Sequence, residues 1–420
     1  MSTATLPPAE RLARLTVLLA EWQGAWRPLP FRHRRLPWEE RMPGLAAMLR
    51  ALDETALTRL QDAPFEHSPL AAWLPVEELA ALVDLPAISA DSVEPPSAWS
   101  AHIGGRKWQQ IVAFAARMPV AADRPLIEWC AGKGHLARTL SRLHGCHVTA
   151  LEWQASLCAA GRCLAERQGA DVALVGQDVM AGDATRWLGG NGHLAALHAC
   201  GDLHVRLIEL AADHAGAVTL APCCYHRTAA ERYRPLSRYA RRLTAERGLA
   251  LARDDLTLAV QETVTAPRGD RRRRARANAW RLGFDALQRE VRGIDAYLPV
   301  PSLAHGRLPE TFAGFCRWAA EQKGLALPAR LDAARFEREG QRRLAEVERL
   351  ELVRHLFRRP LEVWLALDRR MRLEEAGFAV ELGTFCAREL TPRNLLLRAE
   401  AEPRGKSVGR RGFAPRPGQR

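Results

Sequence analysis

Apolar positions change their period along the chain. Over residues 1–95 they recur at helical spacing: Leu12, Leu15, Leu18 and Leu19 share one face, as do Leu45, Met48, Leu49 and Leu52. This predicts a helical N-terminal domain. The stretch PAISADSVEPP (residues 86–96) interrupts the pattern and reads as a linker.

From residue 125 short apolar runs take over, at 126–129, 148–151, 172–175, 194–198 and 217–221. Helical stretches beginning at Leu136, Ala155 and Leu203 separate them. Such alternation predicts a parallel sheet with crossover helices. Past residue 227 the pattern is helical again and rich in arginine. A helix over 361–376, closed by Gly377, and two alternating strands at 378–385 and 394–401 end the ordered pattern. The expected organisation is a helical domain (1–95), the first part of an α/β core (96–227) and a helical, arginine-rich insertion (228–350). The core's last helix and hairpin (351–402) and a tail (403–420) follow. The tail has six basic residues, no acid and many Gly and Pro, so disorder is expected there.

Candidate chemistry gathers at the ends of the predicted strands. Glu128-Trp129-Cys130-Ala131-Gly132-Lys133-Gly134-His135 lies between a strand and a helix, where glycines let the backbone turn and approach a ligand. Gly132-x-Gly134-x-x-Ala137 also satisfies a loose dinucleotide fingerprint. A pyrophosphate, however, would meet the acid Glu128, which disfavours a dinucleotide dehydrogenase. A carboxylate suits a cationic, amine-bearing ligand such as S-adenosylmethionine (SAM). Glu152, ending the second strand, can accept two hydrogen bonds from a ribose diol. Asp178, after the third, can accept from an adenine amino group. These acids follow the sheet edge where doubly wound folds bind ligands. Glu128, Cys130, Gly132, Gly134, Glu152 and Asp178 are therefore the expected cofactor residues.

His198, Cys200 and Asp202 follow the fourth strand, and Cys223, Cys224, Tyr225 and His226 the fifth. Methyl transfer is an in-line displacement that needs alignment and the removal of at most one proton. Asp202 or His226 is the expected base, with His198 beside them. The cysteines and histidines are zinc-ligand types, but their spacing matches no standard site, so no metal is expected.

EWCAGKGHLARTL (128–140) is similar to the D/E-x-G-x-G-K-G-H-L-S-R-x-L loop of the methyltransferase-like protein 25 family. ALHACGDLH (196–204) resembles its LHxCGDL segment, APCCYH (221–226) its GCCYH segment, and GGRKWQQI (104–111) its pre-sheet helix. LDRRMRLEEAGF (367–378) and TPRNLLL (391–397) resemble its C-terminal segments. The acceptor-stem tRNA 2′-O-methyltransferases show related Cys-Gly and Cys-Cys-His segments more distantly. The resemblance implies a Rossmann-like class I methyltransferase sheet, mostly parallel with its last strand antiparallel, and SAM as cofactor. Two positions depart from it. Arg106 replaces a lysine, and Cys130 stands where the family has its first glycine; a thiol is tolerated there if φ is negative.

Charge bears on the substrate. The chain has 420 residues and a net charge of +13, and its basic residues are 57 Arg and 4 Lys. A pI near 9.9 fits an anionic partner, with nucleic acid first. The cluster Arg268, Arg271, Arg272, Arg273, Arg274 and Arg276, together with the tail, is the expected contact to RNA phosphates. A protein methyltransferase acting on a basic or ribosomal protein, and a non-catalytic SAM- or RNA-binding module, are the alternatives. Nine cysteines, odd in number and without a CxxC, argue for a reducing, cytoplasmic setting. No apolar run is long enough for a membrane helix, and charges interrupt the N-terminus where a signal peptide would be apolar.

Overall fold

The computed structural model describes residues 6–91, 93–121, 124–261, 268–303 and 306–402. The tail at 403–420 lies outside them. Five N-terminal helices come first: α1 (Pro8–Glu21), α2 (Gln23–Trp26), α3 (Pro43–Ala51), α4 (Glu54–Asp62) and α5 (Val76–Val83). After α6 (Gly105–Ala115) the sheet begins with β1 (Leu126–Trp129), α7 (His135–His144), β2 (Val148–Glu152), α8 (Ala155–Arg167) and β3 (Val172–Gly176). It continues with β4 (Gly192–Cys200), α9 (Asp202–His214) and β5 (Ala215–Cys223). Three helices follow, α10 (Arg238–Arg247), α11 (Arg268–Arg292) and α12 (Phe312–Glu321). The long α13 (Ala333–Glu374) then leads to β6 (Phe378–Thr384) and β7 (Leu395–Ala401).

The seven strands are ordered β3-β2-β1-β4-β5-β7-β6. Pairings among β1 to β5 are parallel, and β7 runs antiparallel to both β5 and β6. This is the expected Rossmann-like methyltransferase sheet. β1 pairs with β2 on one side and β4 on the other, so the chain reverses its direction of winding there. The crevice beyond the C-terminal ends of β1, β2 and β4 is thus the switch point. β5 is buried at every position, as a central strand covered on both faces must be.

α13 joins regions that the sequence separates. The boundary expected at residue 350 falls inside it. Its first half crosses α11 at two glycines: a Cβ on Gly340 would lie 2.2 Å from the Ala279 carbonyl oxygen. Around that crossing Trp280, Phe284, Phe312, Phe315 and Phe336 form a core of their own. The second half is buried almost all round, from Leu361 through Trp364 to Leu367. Trp364 donates to Thr16 Oγ1 at 2.9 Å, tying α13 to α1. One cluster of buried side chains runs from Leu12 and Leu79 through α13 to Leu194 and Leu397 of the sheet. The stretch read as a linker also meets the sheet: Ile88 N–H donates to Thr384 O at 3.0 Å, on β6. Gly383 permits that approach, since a Cβ there would sit 2.3 Å from the Pro86 oxygen. Among the described residues no helix is long and apolar enough to cross a membrane.

Candidate functional site

The loop after β1 turns through three left-handed residues: Cys130 (φ 59°), Gly132 (φ 59°) and Gly134 (φ 62°). Gly134 packs on Leu174, which would contact its Cβ at 3.4 Å. Gly132 differs, because a Cβ there would enter open space. It leaves the cradle against which a ligand can lie. Cys130 does not meet the condition of a negative φ. A left-handed backbone costs a non-glycine residue roughly 1–2 kcal/mol. Burial and the nearby Glu152 push its thiol up to about 12, so it is a neutral packing group.

Two of the three strand-end acids are buried and bonded to backbone. Glu128 Oε2 accepts from Ala137 N–H at 2.8 Å, at the start of α7. Desolvation raises its pKa to about 8, against that hydrogen bond and the charges of Lys107 and Arg138. Glu152 Oε2 accepts from Gly132 N–H and its Oε1 from Gln154 N–H, both at 2.9 Å. The acid ending β2 therefore sets the shape of the loop after β1. Each carboxylate oxygen can accept a second bond. Asp178 is exposed, with Oδ1 accepting from Met180 N–H at 2.9 Å. Its buried neighbour Gln177 fixes the turn through Asp183, Arg186 and Trp187. Two apolar side chains stand in solvent beside these acids: Trp153 is 71% and Met180 47% exposed. Sequence reading passed over both. The signal was an apolar residue one or two positions after an acid at a strand end.

Beyond β4 and β5 the backbone is strained again. The β4–β5 register slips between Leu197 and Ala199, and the bulged His198 has φ 65°. Its Nε2 donates to Gln110 Oε1 at 2.7 Å, while Gln110 Nε2 donates to Leu390 O at 3.2 Å. That pairing fixes the tautomer and leaves Nδ1 as a bare lone pair. Nδ1 is buried with no partner among the described residues. Burial, then Arg393, lowers the His198 pKa to about 4, so the ring is neutral. Cys224 is also left-handed, at φ 49°.

Gly201 explains the CGD segment. A Cβ there would lie 1.9 Å from the Arg227 carbonyl oxygen, because the segment after β5 passes directly over it. Asp202 N–H donates to that oxygen at 3.0 Å, and Asp202 Oδ2 accepts from Ala229 N–H at 2.8 Å. One oxygen of Asp202, an expected base, is thus committed to holding the two loops together. His226 Nδ1 is buried without a partner among the described residues. The sulfurs of Cys200, Cys223 and Cys224 lie within 4.8 Å of one another. Hydrogen bonds from Cys200 and Cys223, then Arg393, depress the Cys224 thiol, while sharing with Cys200 and Cys224 raises Cys223.

The C-terminal segments brace this edge. Asp368 accepts from Tyr233 Oη (2.6 Å), Leu236 N–H (2.7 Å), Ser237 N–H (2.9 Å) and Ser237 Oγ (2.7 Å). Arg369 donates to His204 Nε2 at 2.8 Å and lies 4.7 Å from the centre of the Tyr225 ring. Asn394 is held by Arg359 and donates to Cys386 O. Arg393 beside it acts electrostatically on both His198 and Cys224.

The arginine cluster stands apart, on α11, which packs on α12 and α13. Arg271, Arg272, Arg273, Arg274 and Arg276 are exposed; the Arg268 side chain lies outside the described residues. Arg273 pairs with Asp270, and Arg276 lies 5.2 Å from the Trp280 ring centre.

Residues 106–231 match a family described as a methyltransferase domain. The match spans β1 to β5, the glycine loop and both Cys–His segments. Among solved structures the chain is similar to a geranyl diphosphate methyltransferase in complex with GPP and sinefungin, at 14% identity and a TM-score of 0.25. That similarity covers 44% of this chain and 65% of the other, so the chain spans under two thirds of its length. Residues 106–231 thus resemble a methyltransferase domain, and SAM is the methyl donor against which their fit can be tested. The residues present fit that donor. Gly132 opens a cradle, buried Glu128 can answer a cationic amine, and Glu152 has lone pairs to spare for a diol.

Proposed function

We propose that the protein is a SAM-dependent methyltransferase of the methyltransferase-like protein 25 kind, acting on RNA in the cytoplasm. The carrying observation is the switch-point edge. Open space over Gly132 lies against two buried carboxyls, and a neutral histidine with a free lone pair stands across from them.

When bound, SAM supplies an electrophilic methyl group for in-line attack. Glu128 would hold the donor's amine and Glu152 its ribose, while Asp178, Trp153 and Met180 would frame the adenine. Opposite them, His198 Nδ1 accepts a hydrogen bond from the attacking hydroxyl or nitrogen and orients it. His226 is the second acceptor. Asp202 and Gln110 hold these groups in place. Lys107 and Arg393, both of which act electrostatically on His198, draw an anionic substrate towards the site.

The exposed arginines of α11 favour RNA over a basic protein, which they would repel. Such arginines bind backbone phosphate without reading sequence. Each single-strand phosphate they neutralise steepens the log–log salt dependence of binding by about 0.7. Replacing Arg271 to Arg274 with Ser flattens that slope and leaves SAM affinity unchanged. Parallel slopes, or no RNA binding at low salt, remove the RNA reading. Mass spectrometry of total RNA and of ribosomal proteins, from cells with and without the gene, identifies the methylated product.

A further inference from the structure

We propose that Cys200, Cys223 and Cys224 bind one zinc ion at the ends of β4 and β5. The parallel register sets Cys200 directly beside Cys223, and their sulfurs are 3.6 Å apart. All three sulfurs lie within 4.8 Å of one another. A tetrahedral zinc with Zn–S bonds of about 2.3 Å spaces its thiolates about 3.8 Å apart. The cluster therefore needs only small side-chain adjustments to close on the metal. The sequence hides this site because its ligands come from two strands and follow no finger spacing.

Buried cysteines usually act as small hydrophobes among apolar neighbours. These have charged ones: Arg227 acts on Cys200, and Arg393 acts on Cys224. Three thiolates and one divalent cation carry a net charge of −1, which Arg227 and Arg393 more than offset. The donors are also held in place before metal arrives. Gly201 lies against the Arg227 carbonyl, and Asp202 bonds the backbone of Arg227 and Ala229. Binding releases the thiol protons to solvent and forms three Zn–S bonds. His226, two residues past Cys224, stands outside that 4.8 Å group, so the fourth position is left to a water or a substrate atom. The ion would clip the β4 and β5 loops together beside the methyl-transfer edge, whatever the substrate.

Cobalt substitution tests this on the full chain. Reduced, metal-stripped protein is titrated with Co²⁺, then with Zn²⁺. The expected result is one cobalt per chain, a near-ultraviolet thiolate-to-cobalt band of three-sulfur intensity, and displacement by one equivalent of zinc. Cys224→Ser should cut that band by about a third and weaken zinc binding at least about tenfold. Cys163→Ser, on the exposed face of α8, should change neither. If Cys224→Ser does not fold, the wild-type cobalt spectrum decides by itself. A wild-type chain that binds neither metal overturns the proposal, as does a band without thiolate character. So does a Cys200–Cys223 disulfide forming equally fast with and without zinc.

Discussion

The two halves of the sheet's C-terminal edge bury polar groups in opposite ways. At β1 and β2 the carboxyls of Glu128 and Glu152 are bonded to backbone N–H groups of Ala137, Gly132 and Gln154. That half is complete in itself and presents a shaped cradle. At β4 and β5, His198 Nδ1, His226 Nδ1 and Tyr225 Oη are buried without partners among the described residues. An unpaired buried polar group costs about 1–3 kcal/mol. Three left-handed non-glycine residues, Cys130, His198 and Cys224, sit along the same edge. Unpaired groups and strain together mark a place where a ligand completes the structure. The β1–β2 half is preorganised, and the β4–β5 half keeps buried polar atoms unpaired among the described residues.

The largest effect that separates the halves is expected at Gly201. Gly201→Ala forces a Cβ into the Arg227 carbonyl at φ 54°. Overpacking and backbone strain together cost roughly 2–5 kcal/mol. Denaturant unfolding should show that loss, and turnover should vanish. Unchanged stability would mean that the two loops do not press together.

His198→Asn keeps a residue that tolerates the left-handed backbone. It should lower turnover roughly 10²–10⁴-fold while SAM affinity measured by calorimetry holds. Full turnover would remove His198 from the chemistry. Trp153→Ala should do the reverse, weakening SAM by about 1–3 kcal/mol if the indole stacks on adenine. Equal affinity would leave Trp153 a bystander.

A smaller effect concerns stability and pH. Glu128 has a folded pKa of about 8, above its ordinary value of 4.5. The folded protein therefore holds an extra proton between those values, and stability falls as pH rises through that window. Glu128→Gln should flatten that decline in denaturant midpoints measured from pH 5 to pH 8. An unchanged decline would assign it to other groups.

The sheet was readable because each strand is a short apolar run set between helical stretches, and the glycine loop because its acid and glycines are local. Other features hide for physical reasons. The helix expected from residue 361 begins far earlier, since α13 runs through Pro360, packed between the sheet and the N-terminal helices. The His198–Gln110 bond spans 88 positions, and Arg369 reaches His204 across 165. Such pairings depend on the closed fold. Left-handed conformations at Cys130, His198 and Cys224 are equally hidden, since only glycine advertises them. The placing of Glu128 and Glu152 as acids at strand ends was legible; their bonds to the loop backbone were not.

The most direct test of the account is SAM affinity against pH. In the free protein burial keeps Glu128 protonated up to about pH 8. A cationic amine beside it favours the carboxylate, so binding releases a proton. Between pH 6 and about 7.5 the donor's amine stays charged. Calorimetry over that range should show affinity rising up to about tenfold per pH unit in the wild type and staying nearly flat in Glu128→Gln. No SAM binding, or the same pH profile in both proteins, would contradict the assignment of this edge to the methyl donor.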